Sequence, residues 1–341
     1  MFGDLDGKKR IGRLSLRRTR RAFRTAMLSV MAIAASVLLH AQLPADPLAN
    51  GTIDSYSDVC YWLNLKEAAI VAGFDFHTYK DARSGKACLE IRRGSRDGEV
   101  LYRKTAQSFG EYRLGQKANA EANIPKIEDG ADLLGRGRPE MIVTSWSGGA
   151  HCCFFHLIFE LKPELKLVAR IDDGDGDLAH FTDRDRDGRY YYEGYDWTFA
   201  YWDGSFAESP APAIILRFAD DEHGGRFHIA IDKMRTPEPT PEQWAKAVEE
   251  AADALAGGSR FGDGIGSKLS SNMVNLIYTG HSKLAWKLVD ETWPAQKPGK
   301  EKFVSDFCAQ LGTSHYWVDM EKTLEGEPPA CSAGTRANAA P

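Results

Sequence analysis

Three prolines in six residues, Thr236-Pro237-Glu238-Pro239-Thr240-Pro241, divide this chain into two kinds of sequence. Proline has no backbone N–H and fits neither a helix interior nor a central strand, so no element runs through this segment. Before it, apolar residues come in short runs bounded by Gly and Asp. Ala87–Arg93 and residues 99–104 flank Gly94-Ser95-Arg96-Asp97-Gly98 and predict a hairpin. Residues 141–146 and 152–161 flank Ser147-Gly148-Gly149-Ala150, and their unbroken apolar character predicts strands buried on both faces. Residues 64–73 read as either helix or strand. After the joint the period changes to that of a helix. Leu269, Met273, Leu276 and Ile277 share one face, then Leu284 and Leu288, then Phe303, Phe307 and Leu311, with stops at Gly280, Pro294 and Gly312. Thr240 caps the first of these helices, Pro241 suits its first position, and Gln243 completes a capping box. The expected class is α+β: a β-rich region at 56–236, a helical region at 237–318 and a disordered tail at 319–341.

The first 41 residues predict export. Nine basic side chains within residues 1–25 face only Asp4 and Asp6, and a fourteen-residue apolar stretch, 26–39, follows. That is shorter than the ~20 residues a membrane-spanning helix needs. A basic head, a short apolar middle and Leu39-His40-Ala41 make a secretory signal cut after Ala41, which leaves no stable transmembrane span. Thr19-Arg20-Arg21-Ala22-Phe23-Arg24 resembles the twin-arginine export motif, and an ordinary signal with extra arginines is the other reading. Residues 42–55 read as a linker, and the expected location is periplasmic or secreted. The chain carries a formal −5, so losing a head of net +7 leaves −12, which repels phosphate backbones and argues against a nucleic-acid partner.

All six cysteines, Cys60, Cys88, Cys152, Cys153, Cys308 and Cys331, follow the signal. An even count in an exported chain points to disulfides. Cys60 with Cys88 is the favoured local pair. Cys152 and Cys153 are adjacent and, in a strand, point to opposite faces, so at least one is expected to bond elsewhere. The same alternation lets no more than half of the His151, Cys152, Cys153, His156 group converge on a zinc ion. Ser145-Trp146-Ser147-Gly148-Gly149 lacks the glycines of a nucleophile elbow.

The densest signal is acidic: seven aspartates fall between Asp172 and Asp187. Asp183-Arg184-Asp185-Arg186-Asp187-Gly188 places carboxylates at every second position before a turn glycine, as a loop that wraps Ca²⁺ does. Asp183, Asp185, Asp187, Arg189 and Glu193 are the predicted calcium-site residues. An EF-hand would want Glu where Gly194 stands, and a propeller-type loop would want an acid at Tyr191, so Glu193 or Asp196 would stand in. The alternative is an Asp-rich turn whose charges are solvated and eased by Arg184 and Arg186. Asp173-Gly174-Asp175-Gly176-Asp177 is a second, weaker candidate.

Residues 183–188 and the strand-like 190–195 resemble the FG-GAP and VCBS-type calcium repeats of exported and surface β-propeller proteins. An earlier stretch, 132–140, keeps the first Asp, the glycines and the final acid, Glu140, without the middle aspartates. It looks like a degenerate copy that has kept the turn and lost the metal. The copies start 51 residues apart, a blade-like period. The resemblance covers about residues 125–220. A full propeller needs at least four blades, and two repeats are visible, so a partial assembly of propeller-like hairpins is expected. The resemblance implies binding or adhesion more than catalysis.

Nine aromatics crowd residues 190–206. They either fill a core or present Tyr195, Trp197, Tyr201 and Trp202, beside Asp196, as a surface for a glycan or protein ligand. The functional expectation is a non-catalytic, calcium-stabilised exported binding protein. The alternatives are a glycan-directed hydrolase using the Asp-rich loop, and a structural envelope protein docking a partner through its C-terminal helices.

Overall fold

Among the described residues, twelve strands group into three four-stranded antiparallel meanders, each built from consecutive strands. The computed structural model describes residues 57–106, 109–150, 153–176, 178–202, 204–220, 225–257, 267–326, 328 and 331. The predicted signal and linker, His151, Cys152, Asp177 and the last ten residues lie outside them. The first sheet holds β1 (Asn64–Val71), β2 (Phe74–Lys80), β3 (Ala87–Arg93) and β4 (Val100–Ala106). The ambiguous segment at 64–73 is thus a strand and a tight turn. The second holds β5 (Glu111–Leu114), β6 (Glu140–Trp146), β7 (Phe154–Glu160) and β8 (Lys166–Gly174). The third holds β9 (His180–Thr182), β10 (Tyr191–Tyr195), β11 (Ala213–Ala219) and β12 (Arg226–Ile229).

The second sheet lies between two cores, as its apolar runs require. Met141, Val143, Leu157 and Phe159 join Phe76, Leu89, Ile91 and Tyr102 of the first sheet. Ile142, Ile158, Ala169 and Ile171, on the other face, join Phe181, Tyr192 and Leu216 of the third sheet. Cross-strand pairing sets this alternation: Met141 opposes Phe159, Ile142 opposes Ile158 and Val143 opposes Leu157. Each fully buried apolar side chain contributes roughly 1.5–3 kcal/mol.

The helical part shares the core of the third sheet. It comprises α1 (Ile231–Met234), α2 (Pro241–Gly257), α3 (Ser267–Tyr278), α4 (Ser282–Thr292), α5 (Lys300–Leu311) and α6 (Trp317–Met320). The capping box forms: Gln243 N–H donates to Thr240 Oγ1 and Thr240 N–H donates to Gln243 Oε1. Gly280, at φ +88°, ends α3 with His281 N–H on Leu276 O and Gly280 N–H on Ile277 O. That pair of bonds is a Schellman motif, and it folds α4 back on α3. Leu269, Met273, Ala285, Val289, Phe303 and Phe307 then meet Phe199 and Leu216 in one cluster.

The α+β class holds. Among the described residues no sheet closes on itself, and three blade-like meanders fall short of the four blades of a propeller. The expected tail starts too early at 319. Asp319 accepts hydrogen bonds from Arg226, His228 and Ile229 N–H, and Met320 is buried, so this segment is pinned to β12. Cys60 pairs with Cys88 and Cys308 with Cys331, at Cα separations of 5.6 and 5.1 Å. These bonds use the four cysteines outside the adjacent pair. The expectation that at least one of Cys152 and Cys153 bonds elsewhere turns on Cys152, which lies outside the described residues. Among the described residues, no helix is long and apolar enough to cross a membrane.

Candidate functional site

The two Asp loops occupy equivalent places, one between β5 and β6 and the other between β9 and β10. Asp132 accepts Arg136 N–H (2.8 Å) on Oδ1 and Gly137 N–H (2.7 Å) on Oδ2. Asp183 accepts Asp187 N–H on Oδ1 and Gly188 N–H on Oδ2, both at 3.1 Å. The left-handed positions match as well. Gly135 and Gly137, both at φ +69°, correspond to Arg186 at +58° and Gly188 at +82°. The 51-residue repeat is therefore a repeat of backbone geometry.

The predicted calcium residues have other partners. Lys233 Nζ sits 2.8 and 2.7 Å from the two oxygens of Asp185, and the Tyr191 hydroxyl donates to Oδ2 at 2.7 Å. The Lys233 and Tyr191 hydrogen bonds hold the Asp185 carboxyl below its ordinary range. Asp187 Oδ1 accepts Arg189 N–H, and Glu193 pairs with Arg184 at 2.7 Å. Among the described residues, no three His, Cys, Asp or Glu side chains are grouped to hold an ion. The carboxylates as arranged accept from an ammonium group and from backbone N–H donors. Calcium would have to take Asp185 from Lys233.

A second acidic region makes a cleft of about 380 Å³. Its walls are the end of β8 (Asp172, Asp173, Gly174, Asp175), the segment after β10, Phe206, and residues 313–316 between α5 and α6. Trp197 stacks on Phe206 with ring centres 5.0 Å apart at 14°. Tyr201 lies 5.6 Å beyond Phe206, and Tyr195 lies 6.5 Å from Trp197. Tyr201 is 57% exposed and Tyr195 38%, so the platform reaches solvent. Glycine makes the close approaches possible. Gly174, at φ +55°, lies against the indole, where a Cβ would come within 2.8 Å of Trp197. A Cβ at Gly176 would fall 1.8 Å from Asp173 Oδ2, so only glycine lets the backbone wrap this carboxylate, which is 1% exposed.

Asp196 backs the cleft. Its Oδ1 accepts Thr198 N–H and Thr198 Oγ1–H, and its Oδ2 accepts the Tyr278 and Ser314 hydroxyls at 2.6 Å each. Four donors fill a carboxylate's usual lone-pair sites, so Asp196, 4% exposed, ties β10 to the helices. Burial and this carboxylate push the Tyr278 and Tyr316 hydroxyls well above their ordinary values. Of the five residues predicted as a ligand surface, Tyr195, Trp197 and Tyr201 line the cleft. Asp196 also lines it, with its oxygens already taken by four donors. Trp202 is half-buried and turns inward, 5.4 Å from Phe199 and 5.9 Å from Phe303. Sequence reasoning missed His315 and Tyr316, which no local pattern marks. Asp172 and the weaker Asp173/Asp175 candidate were visible only as an acidic run. No family model, curated protein or solved structure matches the chain.

Proposed function

We propose that this chain is an exported binding protein of the bacterial envelope whose ligand sits in the cleft between β8, the segment after β10 and residues 313–316. The observation that carries this reading is the aromatic platform of Trp197, Phe206, Tyr201 and Tyr195 beside Asp172 and Asp175. An apolar face with a few convergent polar groups, in a space of 300–1,000 Å³, is the usual form of a small-ligand site. The two disulfides fit an oxidising compartment. In this reading the Asp183 loop stiffens the β9–β10 hairpin that delivers Tyr195 and Trp197. Calcium, if it acts there, supports that hairpin and does not touch the ligand.

Tryptophan fluorescence of the purified protein, titrated with soluble glycans, peptides and polyamines, tests the proposal. A saturable change that Tyr201→Ala weakens at least fivefold is expected. A panel in which no ligand responds to Tyr201→Ala would overturn it. Turnover of a bound glycan in the same assay would make the protein a hydrolase instead.

A further inference from the structure

We propose that the ligand of this cleft is a neutral oligosaccharide, its pyranose rings laid along the row Tyr195, Trp197, Phe206 and Tyr201. The inference rests on the cleft being a binding site and adds the class of molecule that fills it. Charge is the first discriminator. Asp196 already accepts four donors. Asp173 is 1% exposed, and both it and Asp175 have partners within the protein. Asp172 Oδ1 accepts Gly174 N–H at 3.1 Å, and its Oδ2 faces His315 Nε2 at 4.0 Å. An ammonium or guanidinium group would have to displace these partners. No lysine or arginine lines the cleft, so an anion finds no countercharge beyond His315. What the cleft offers is ring surface and a polar rim whose charges are already engaged.

Ring geometry is the second discriminator. Successive ring centres along the row lie 6.5, 5.0 and 5.6 Å apart. Trp197 and Phe206 are within 14° of parallel, but Tyr195 is turned 54° from Trp197 and Tyr201 45° from Phe206. One flat, fused-ring molecule cannot lie on surfaces turned this far from each other. A chain of saturated rings joined by rotatable bonds can, with one sugar against each exposed tyrosine. The axial C–H bonds of a pyranose with equatorial hydroxyls form an apolar face, and such a face packs on the electron-rich face of an aromatic ring. The hydroxyls around its edge need polar partners. Asp172, with a 35% exposed side chain, keeps lone pairs for them, and Thr313 Oγ1 donates to Gln310 O and can still accept. A purely apolar ligand would strip water from Asp172 and His315 and return no hydrogen bond.

Isothermal titration of the whole protein would compare cellotriose and the trimer of N-acetylglucosamine with glucose, trigalacturonate, spermidine and a short peptide with one central arginine. At least one neutral trimer is expected to bind about tenfold or more tightly than glucose, because a second ring contact adds to the first. It should also bind more tightly than any charged probe, with the same affinity at low and high salt. Tyr201→Ala and Tyr195→Ala should each weaken that binding about fivefold. Tyr201→Phe, which keeps the ring, and Trp62→Ala, an 85% exposed ring just ahead of β1, should leave it within about twofold. Tyr201-dependent binding of spermidine, the peptide or trigalacturonate above that of both neutral trimers would overturn the neutral sugar and leave the binding cleft standing. Trimer binding that is equal in Tyr201→Ala and Trp62→Ala would place the sugar elsewhere and would also overturn it. No Tyr201-dependent binding of any probe would remove both.

Discussion

The Asp132 and Asp183 loops share a backbone but are completed by opposite means. In the first, the acid eight residues on, Glu140, turns back and accepts Leu133 and Leu134 N–H on Oε2. It is 1% exposed, and it stands across from Glu160 in the neighbouring strand. In the second, the equivalent position is Tyr191, which donates to Asp185, and Lys233 of α1 supplies the positive charge. One loop is closed inward by a buried carboxyl, the other outward by an ammonium from a later element. The shared frame is thus held in both copies by backbone N–H donors to the first aspartate. The middle aspartates are an addition to that frame, and here they meet a lysine.

The largest expected contrast comes from removing the first aspartate of each loop. Asp132→Ala releases two N–H donors above the buried Leu133 and Leu134, and should cost about 2–3 kcal/mol in denaturant unfolding. Asp183→Ala, in the more exposed loop with longer bonds, should cost about half as much. Equal losses would erase the distinction between the buried and the open copy.

Next in size is a pH effect confined to the first loop. Burial, with Asp132 and Glu160 nearby, pushes Glu140 up to about 7 against Leu133 and Leu134 N–H bonds that pull it down. Its ordinary value is 4.5. Between those values the folded chain binds more protons than the unfolded one, so stability falls as pH rises from 4.5 through 7. Glu140→Gln keeps the acceptor and removes the titration. Relative to the parent it should gain on the order of 2 kcal/mol at pH 8 and nothing below pH 4.5. A parent–variant difference that is flat across this window would sink the assignment.

Smaller still is the backbone difference. Arg186 holds φ +58° where the first copy has Gly135. Arg186→Gly relieves a left-handed conformation that side chains resist, and should raise stability by up to about 1 kcal/mol. A loss of stability would mean the guanidinium matters more than the strain.

The smallest change in unfolding midpoint is expected for Lys233→Met, because its pair with Asp185 faces solvent. Its value lies in a second measurement. Millimolar Ca²⁺ should leave the parent midpoint unmoved and raise that of Lys233→Met, where Asp183, Asp185 and Asp187 have lost their ammonium. A calcium-induced rise in the parent that Asp185→Ala abolishes would show calcium outcompeting Lys233, and would restore the metal to the second loop.

Several features were legible before any fold was known. The Cys60–Cys88 pair was favoured only as the more local choice, whereas the β3–β4 hairpin, the burial of β6 and β7 on both faces, the Thr240–Gln243 cap and the Gly280 stop all depend on near neighbours or on periodicity. So do the two Asp loops, whose bonds run only four and five residues ahead. The acceptors of Lys233, Tyr278 and Ser314 were not legible. Each meets its aspartate only after α1, α3 and the 313–316 segment have docked, 48, 82 and 118 residues away in sequence. For the same reason the hydroxyls that Asp196 accepts from could not be read from its neighbours in sequence.

The sequence by itself determined the alternation of short strands, the change to helices at the proline joint, the paired loops and an acidic, aromatic-rich stretch after the second loop. These follow from local sterics, side-chain spacing and hydrogen bonds within a few residues. Only the tertiary structure decided which acids face a cleft, which are consumed by hydroxyls and an ammonium, and that His315 and Tyr316 complete the wall opposite Trp197. A charged group's role depends on which donors burial brings to it, and those donors come from chain segments that no local pattern connects.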